Sequence, residues 1–199
     1  MRSIVLALCV GGLAAGSPEQ VQAVLTTIDT IPSQRQINHA FGDDPHQAAV
    51  GLGEIADDAD ADLGVRLRAI HALSKYCGDP CLHSDPAHLV LYDLVRSIGA
   101  TDASSEDLVI LRAALEAIGP QRALDDPSPD PAPSDEVVLV SHLSSLSRDV
   151  RTAAVHGLRD LCNTQAITPL GQLQSTETSK QVLQAITEAL RVLRTDPCQ

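Results

Sequence analysis

The stretch SRDVRTAAVHGLRDL, Ser147 to Leu161, decides the fold. Its inner part, VRTAAVHGL, opens on an apolar residue, Val150, and closes on a small residue followed by an apolar one, Gly157 and Leu158. The same pattern returns in VRLRAIHAL (Val65 to Leu73), ILRAALEAI (Ile110 to Ile118) and VLQAITEAL (Val182 to Leu190). The small closing residue, Ala72, Ala117, Gly157 and then Ala189, recurs roughly every 40 positions, which fits one helical hairpin per unit. Apolar residues follow helical rather than alternating spacing almost everywhere, so the chain reads as all-α.

Ahead of each of these helices lies a candidate partner: PHQAAVGLGEIA (Pro45 to Ala56), PAHLVLYDLVRSI (Pro86 to Ile98), SDEVVLVSHLSSL (Ser134 to Leu146) and TQAITPLGQLQS (Thr164 to Ser175). Pro, Ser, Thr or Asp marks each start, and Asp, Ser and Gly fill the connections. Neither helix of a pair buries its apolar face alone. Stacking the pairs side by side makes one continuous core.

A net charge of −12, with no Trp, two Tyr and one Phe, excludes a nucleic-acid partner, which wants basic surface and stacking rings. It equally excludes an anionic membrane face. The 44% apolar fraction still suffices for a core of Ala, Leu, Val and Ile. At the N-terminus, Arg2, an apolar run from Ile4 to Leu13 and small residues to Gly16 have the layout of a secretory signal over residues 1–16. Cleavage after Gly16 keeps Ser17 as a helix N-cap with Pro18 behind it; Val21 and Ala23 offer a second site. A secreted or periplasmic chain with no membrane insertion after signal removal follows. Residues 17–43 read as a capping helix, with Val21, Val24, Leu25 and Ile28 on one face, and its connection.

At this point the chain resembles the HEAT-repeat family. AITPLGQL (Ala166 to Leu173) looks like the family's first-helix pattern with its internal proline, and SRDVRTAAVHGLRDL like its turn and second helix. The resemblance covers roughly residues 44–194 and is weakest in the second unit, where Leu111 stands in place of Arg66 and Arg151. It implies an α-solenoid of about four HEAT-like hairpins over residues 44–199, used as a protein-binding scaffold. It implies no activity.

Between the second and third units lies GPQRALDDPSPDPAPSDE, residues 119–136, whose five prolines forbid a regular helix. It reads as an extended loop within one solenoid; the rival reading is a linker between two short lobes.

Four cysteines remain outside the signal. Cys77 and Cys162 hold equivalent places in their repeats, about 20 Å apart across the stack, too far to bridge. Local pairs are expected instead, Cys77 with Cys81 and Cys162 with Cys198. The same stretch, KYCGDPCLHSDPAH, could offer Cys77, Cys81, His83 and His88 to zinc. Export to an oxidising compartment favours the disulfide, so neither metal nor other cofactor is expected. Without export the balance moves towards metal. Asp58, Asp60 and Asp62 open like a calcium loop, but Ala69 stands where the twelfth-position Glu belongs.

No phosphate loop, G-x-S-x-G or H-E-x-x-H occurs, and no histidine is followed by Glu, so no catalytic residues are expected. Arg66 and Arg151 read as polar ties between neighbouring repeats. The candidate binding residues lie on an outward ridge of the second helices, at spacing i, i+4, i+7. The ridge runs through Leu67, His71 and Ser74; Arg112, Glu116 and Gly119; Thr152, His156 and Arg159; then Gln184, Glu188 and Arg191. His71, Arg112, Glu116, His156, Arg159, Glu188 and Arg191 would meet a protein partner, more strongly with the two histidines protonated. The alternative is a lyase-like or accessory enzyme subunit with a small-molecule site.

Overall fold

A computed structural model describes residues 18–26, 32–78, 80–98, 103–124 and 134–195. Among them the chain forms ten α-helices and three short 3-10 turns, with no strand; a single bridge joins Leu82 to Leu124. The helices are α1 (Pro18–Leu25), α2 (Gln34–Ala40), α3 (Pro45–Asp57), α4 (Leu63–Leu73) and α5 (Pro86–Ser97). They continue with α6 (Ser105–Ile118), α7 (Asp135–Ser141), α8 (Arg148–Leu161), α9 (Ile167–Thr176) and α10 (Lys180–Arg194).

The starts follow local chemistry. Asp44 accepts from the backbone N–H groups of His46 and Gln47 with Pro45 in the first helical position, and Ser104 and Asp107 close a reciprocal capping box on α6. Ser147 caps α8, which ends at Cys162 in the left-handed conformation at φ 62°. The sequence places only a connection after α1, whereas the chain there forms α2, capped by Ser33 and Gln36. Tyr76 fastens it, its hydroxyl donating to Asn38 Oδ1 at 2.7 Å, and Gln34 Nε2 donates to the Lys75 carbonyl. The third partner helix is shorter than its sequence pattern: α7 stops at Ser141 and a 3-10 turn carries His142–Ser144.

Packing runs in chain order. Helix α4 lies on α6, α6 on α8 and α8 on α10, while each is covered by the helix before it in its own pair. One apolar cluster extends from Leu25 to Leu193 through both sides of the 119–136 stretch, and α6 packs on α8 directly across it. Two glycines face each other where α8 meets the end of α6. A Cβ on Gly119 would lie 2.3 Å from the Gly157 carbonyl oxygen, and one on Gly157 would lie 2.6 Å from that of Leu115. Only hydrogen fits there.

The two arginines tie neighbours as expected. Arg66 on α4 reaches Glu106 at 3.2 Å in the first turn of α6 and donates Nε–H to the Ala56 carbonyl. Arg151 on α8 holds Glu177, ahead of α10, with two bonds of 2.7 and 3.1 Å. Leu111, which breaks the pattern in the second unit, is 1% exposed and belongs to the core. No helix among the described residues is long and apolar enough to cross a membrane.

Candidate functional site

The segment after α4 turns back on itself through a Cys77–Cys81 disulfide with Cα atoms 5.0 Å apart, the local pairing the sequence assigns. Asp85 organises the turn, its carboxylate accepting from the N–H of Leu82 at 2.9 Å and of Gly78 at 3.3 Å. The stapled loop is then clamped to the segment leaving α6. Leu124 N–H donates to the Cys81 carbonyl at 2.9 Å, and His83 N–H donates to the Leu124 carbonyl at 3.2 Å. Cys162 is disulfide-bonded too; Cys198, its assigned partner, lies outside the described residues.

This clamp brings together side chains from three separate places in the sequence. His83 comes from the stapled loop, His88 from the first turn of α5, and Asp135 from the start of α7. His88 Nε2 lies 3.2 Å from Asp135 Oδ1, and His83 Nε2 lies 3.7 Å from the same oxygen. The two imidazoles stack with centroids 4.6 Å apart, and Tyr92 leans against both. Behind them Gln121 Oε1 meets His88 Nδ1 at 3.0 Å, while Gln121 Nε2 donates to the Leu73 carbonyl at 3.0 Å. His88 and Asp135 are 1% and 2% exposed, against a polar residue at a helix start, which is ordinarily wet. The Tyr92 hydroxyl is pushed up by burial, opposed by Arg96 and reinforced by the Asp135 and Asp93 charges.

The cluster has one open side. His83 and Asp135 line a cleft of about 300 Å³ with Arg122, Ala123, Leu124, Ser134, Glu136, Leu161 and Asn163. Asn163 donates a short hydrogen bond to Glu136, whose carboxyl is raised by burial and lowered by that bond. Arg122, in the left-handed region at φ 50°, donates Nε–H to the Asp160 carbonyl and fixes the cleft's far wall.

The sequence could not find this site from spacing. His83 and His88 are visible in KYCGDPCLHSDPAH, but the zinc set it suggests uses Cys77 and Cys81, and a disulfide leaves no thiolate to bind metal. Asp135 and Gln121 sit in the proline-rich stretch and betray no role. Of the aspartates that resemble a calcium loop, Asp62 caps α4 and Asp58 accepts from the Asp60 backbone.

The residues of the outward ridge are placed as follows. His71, Arg112, Glu188 and Arg191 are exposed, and Glu116, His156 and Arg159 are half-buried. Gly119 and Thr152, which share the ridge by spacing, are buried, Gly119 because it packs against Gly157 of α8. Each arginine meets a carboxylate on its own helix: Arg112 with Glu116 at 3.2 Å, Arg159 with Asp160 at 2.6 Å, and Arg191 with Glu188 at 2.6 Å. Neighbouring helices feel one another nonetheless. Burial and then the Arg159 charge hold the His156 imidazole below its ordinary value, against the Glu116 charge on α6.

No family model matches the chain, and no curated protein matches it. The fold and the site's own chemistry therefore carry the functional reading.

Proposed function

We propose that the chain is an exported, non-catalytic HEAT-like solenoid that holds a protein partner on the face of its second helices. The succession of α4, α6, α8 and α10 supports this reading, because the helices that carry His71, Arg112, Glu116, His156, Arg159, Glu188 and Arg191 lie against one another in that order. In a molecule of net charge −12, a face whose three arginines are each matched by a carboxylate is less negative than the rest, and a partner's own charged side chains would dock there.

The test is capture from the exported fraction with the mature chain as bait, compared with a triple variant Arg112→Glu, Arg159→Glu and Arg191→Glu. The helical circular dichroism is expected to stay unchanged and the captured partner to be lost. Retention of the same partner by the triple variant overturns the assignment of this face. A second reading, an accessory subunit with a small-molecule site, draws its support from the cleft beside His83 and Asp135.

A further inference from the structure

We propose that His83, His88 and Asp135 bind one divalent cation of the zinc type, with Gln121 as the residue that orients His88 and with an open coordination position facing the cleft. This departs from the expectation, drawn from the cysteines, that the chain holds no metal. It does not depend on the partner-binding face, which lies on other residues.

The protonation of His88 is fixed from behind. A backbone carbonyl only accepts, so Gln121 must present its NH2 group to Leu73 and its oxygen to His88. Nδ1 of His88 therefore carries a proton, and in the neutral ring Nε2 offers a bare lone pair. That lone pair faces the Asp135 carboxylate at 3.2 Å, with both side chains almost fully buried. Two electron-rich atoms so close in a low dielectric need a cation between them, either a second proton on His88 or a metal ion.

Direction separates the two. A protonated Nε2 would point its hydrogen at the oxygen, as buried ion pairs do when they are charge-assisted hydrogen bonds. Here the separation suits an ion pair, yet His88 Nε2 and both Asp135 oxygens make no aligned hydrogen bond. Misalignment at short range is the arrangement of two donors aimed at a shared third point. Donors on a tetrahedral zinc, each about 2.0–2.1 Å from the ion, sit about 3.3 Å from one another. The observed separations are 3.2 and 3.7 Å, and all three donor atoms lie within 4.8 Å of one another.

Binding then needs one small movement. The stacked rings are parallel within 5°, so an ion in the plane of His88 lies out of the plane of His83 until the His83 ring turns towards it. His83 is the ligand with room to do so, its side chain being 13% exposed on the cleft side, whereas His88 is locked by Gln121. Two imidazoles and one carboxylate are a donor set suited to zinc and to cobalt(II), and three protein ligands leave a fourth position for water or a ligand from the cleft. The Gln121 contact to the far ring nitrogen matches the outer-shell support that metal-bound histidines ordinarily have.

The experiment is titration of the disulfide-intact, chelator-treated chain with Co2+ and then Zn2+, read by visible absorption and by thermal melting. One equivalent of Co2+ should give d–d bands of a four- or five-coordinate ion, Zn2+ should bleach them, and the melting midpoint should rise. His83→Asn and Asp135→Asn should abolish the bands, while Gln121→Leu should weaken Co2+ binding about 10–100-fold. Absence of bands from the unaltered chain overturns the proposal without any variant. So do bands that persist in both His83→Asn and Asp135→Asn, since exposed histidines would then hold the ion. Long-range nitrogen–proton correlations showing both His88 nitrogens protonated and unchanged by Zn2+ would assign the buried cation as a proton and equally sink the site.

Discussion

Arg151 and Glu177 show how much one residue pair decides where neighbouring helices meet. Glu177 is held down to about 2 from its ordinary 4.5, first by the Arg151 bonds, against a burial penalty, with help from the Ser179 and Thr178 backbone N–H groups. A carboxyl with a depressed folded value stabilises the fold above its unfolded value and loses that contribution as pH falls. Glu177→Gln keeps the backbone contacts, since an amide oxygen also accepts, and removes the charge. It is expected to cost about 1 kcal/mol at neutral pH, the upper end for a pair that retains some solvent. Melting midpoints of the two proteins should converge as pH drops from about 4.5 to about 2, the window set by the two values. A gap that persists at the acid end would mean the pair's worth lies in packing and not in charge. At the same scale, His156 begins below the ordinary histidine value through burial and Arg159, so its protonation is expected only on moderate acidification. Any gain in partner capture from His156 should therefore appear only below the pH at which an ordinary histidine titrates, measurable as capture against pH with His156→Gln as the flat control.

At the scale of elements, the Gly119 and Gly157 contact sets how closely α6 and α8 lie. Replacing Gly157 by Ala gains about 1 kcal/mol of helix propensity. The new methyl, however, meets the Leu115 carbonyl oxygen at 2.6 Å and the Leu139 Cδ2 at 2.7 Å, and a backbone atom cannot step aside as a side chain can. Overpacking of this kind costs about 1–3 kcal/mol, so Gly157→Ala should lower the urea midpoint despite its better propensity. A raised midpoint would show the helices already have slack. The stapled loop makes a second, smaller claim. Cys77 and Cys81 are four positions apart, and closing so short a loop is worth about 2 kcal/mol in the chain-entropy account. The double change to Ser should cost that much or less in urea denaturation, and should also weaken Co2+ binding, because the loop carries His83. Much of this layer is legible in the sequence. The small residue that closes each second helix, Gly157 among them, and the caps at Asp44 and Ser147 mark the elements, because capping and close packing act within a few residues. Helix α2 is missed because its start, Ser33 with Gln36, follows Pro32 in a stretch with few apolar residues to display a face. The histidine site is missed for another reason. Its carboxylate comes from Asp135 and its orienting amide from Gln121, and only the tertiary clamp between Leu82 and Leu124 puts them beside His83 and His88. Long-range pairings of this kind leave no periodicity to read.

At the scale of the whole molecule, the question is whether the proline-rich stretch separates two lobes or interrupts one body. The apolar cluster continues on both sides of it, and the α6 to α8 contact joins the two halves through the glycine crossing. A polar tie crosses the same boundary, Arg122 donating to the Asp160 carbonyl, while Leu124 and the stapled loop exchange backbone hydrogen bonds beside Asp135. The apolar cluster spans both halves and α6 packs on α8 between them, so each half alone would expose the face it now buries. A specific protease site placed within residues 125–133 should therefore be cut without separating the pieces. The nicked chain is expected to elute from a sizing column with the intact one, and to come apart only on denaturation. Its melting midpoint should fall and become dependent on protein concentration, because reassembly is now bimolecular. The size of the fall measures the connection itself, since closing a loop of this length contributes through chain entropy that rises only slowly with length. Separate elution under native conditions would show that the α6 to α8 contact is too weak to hold two lobes together.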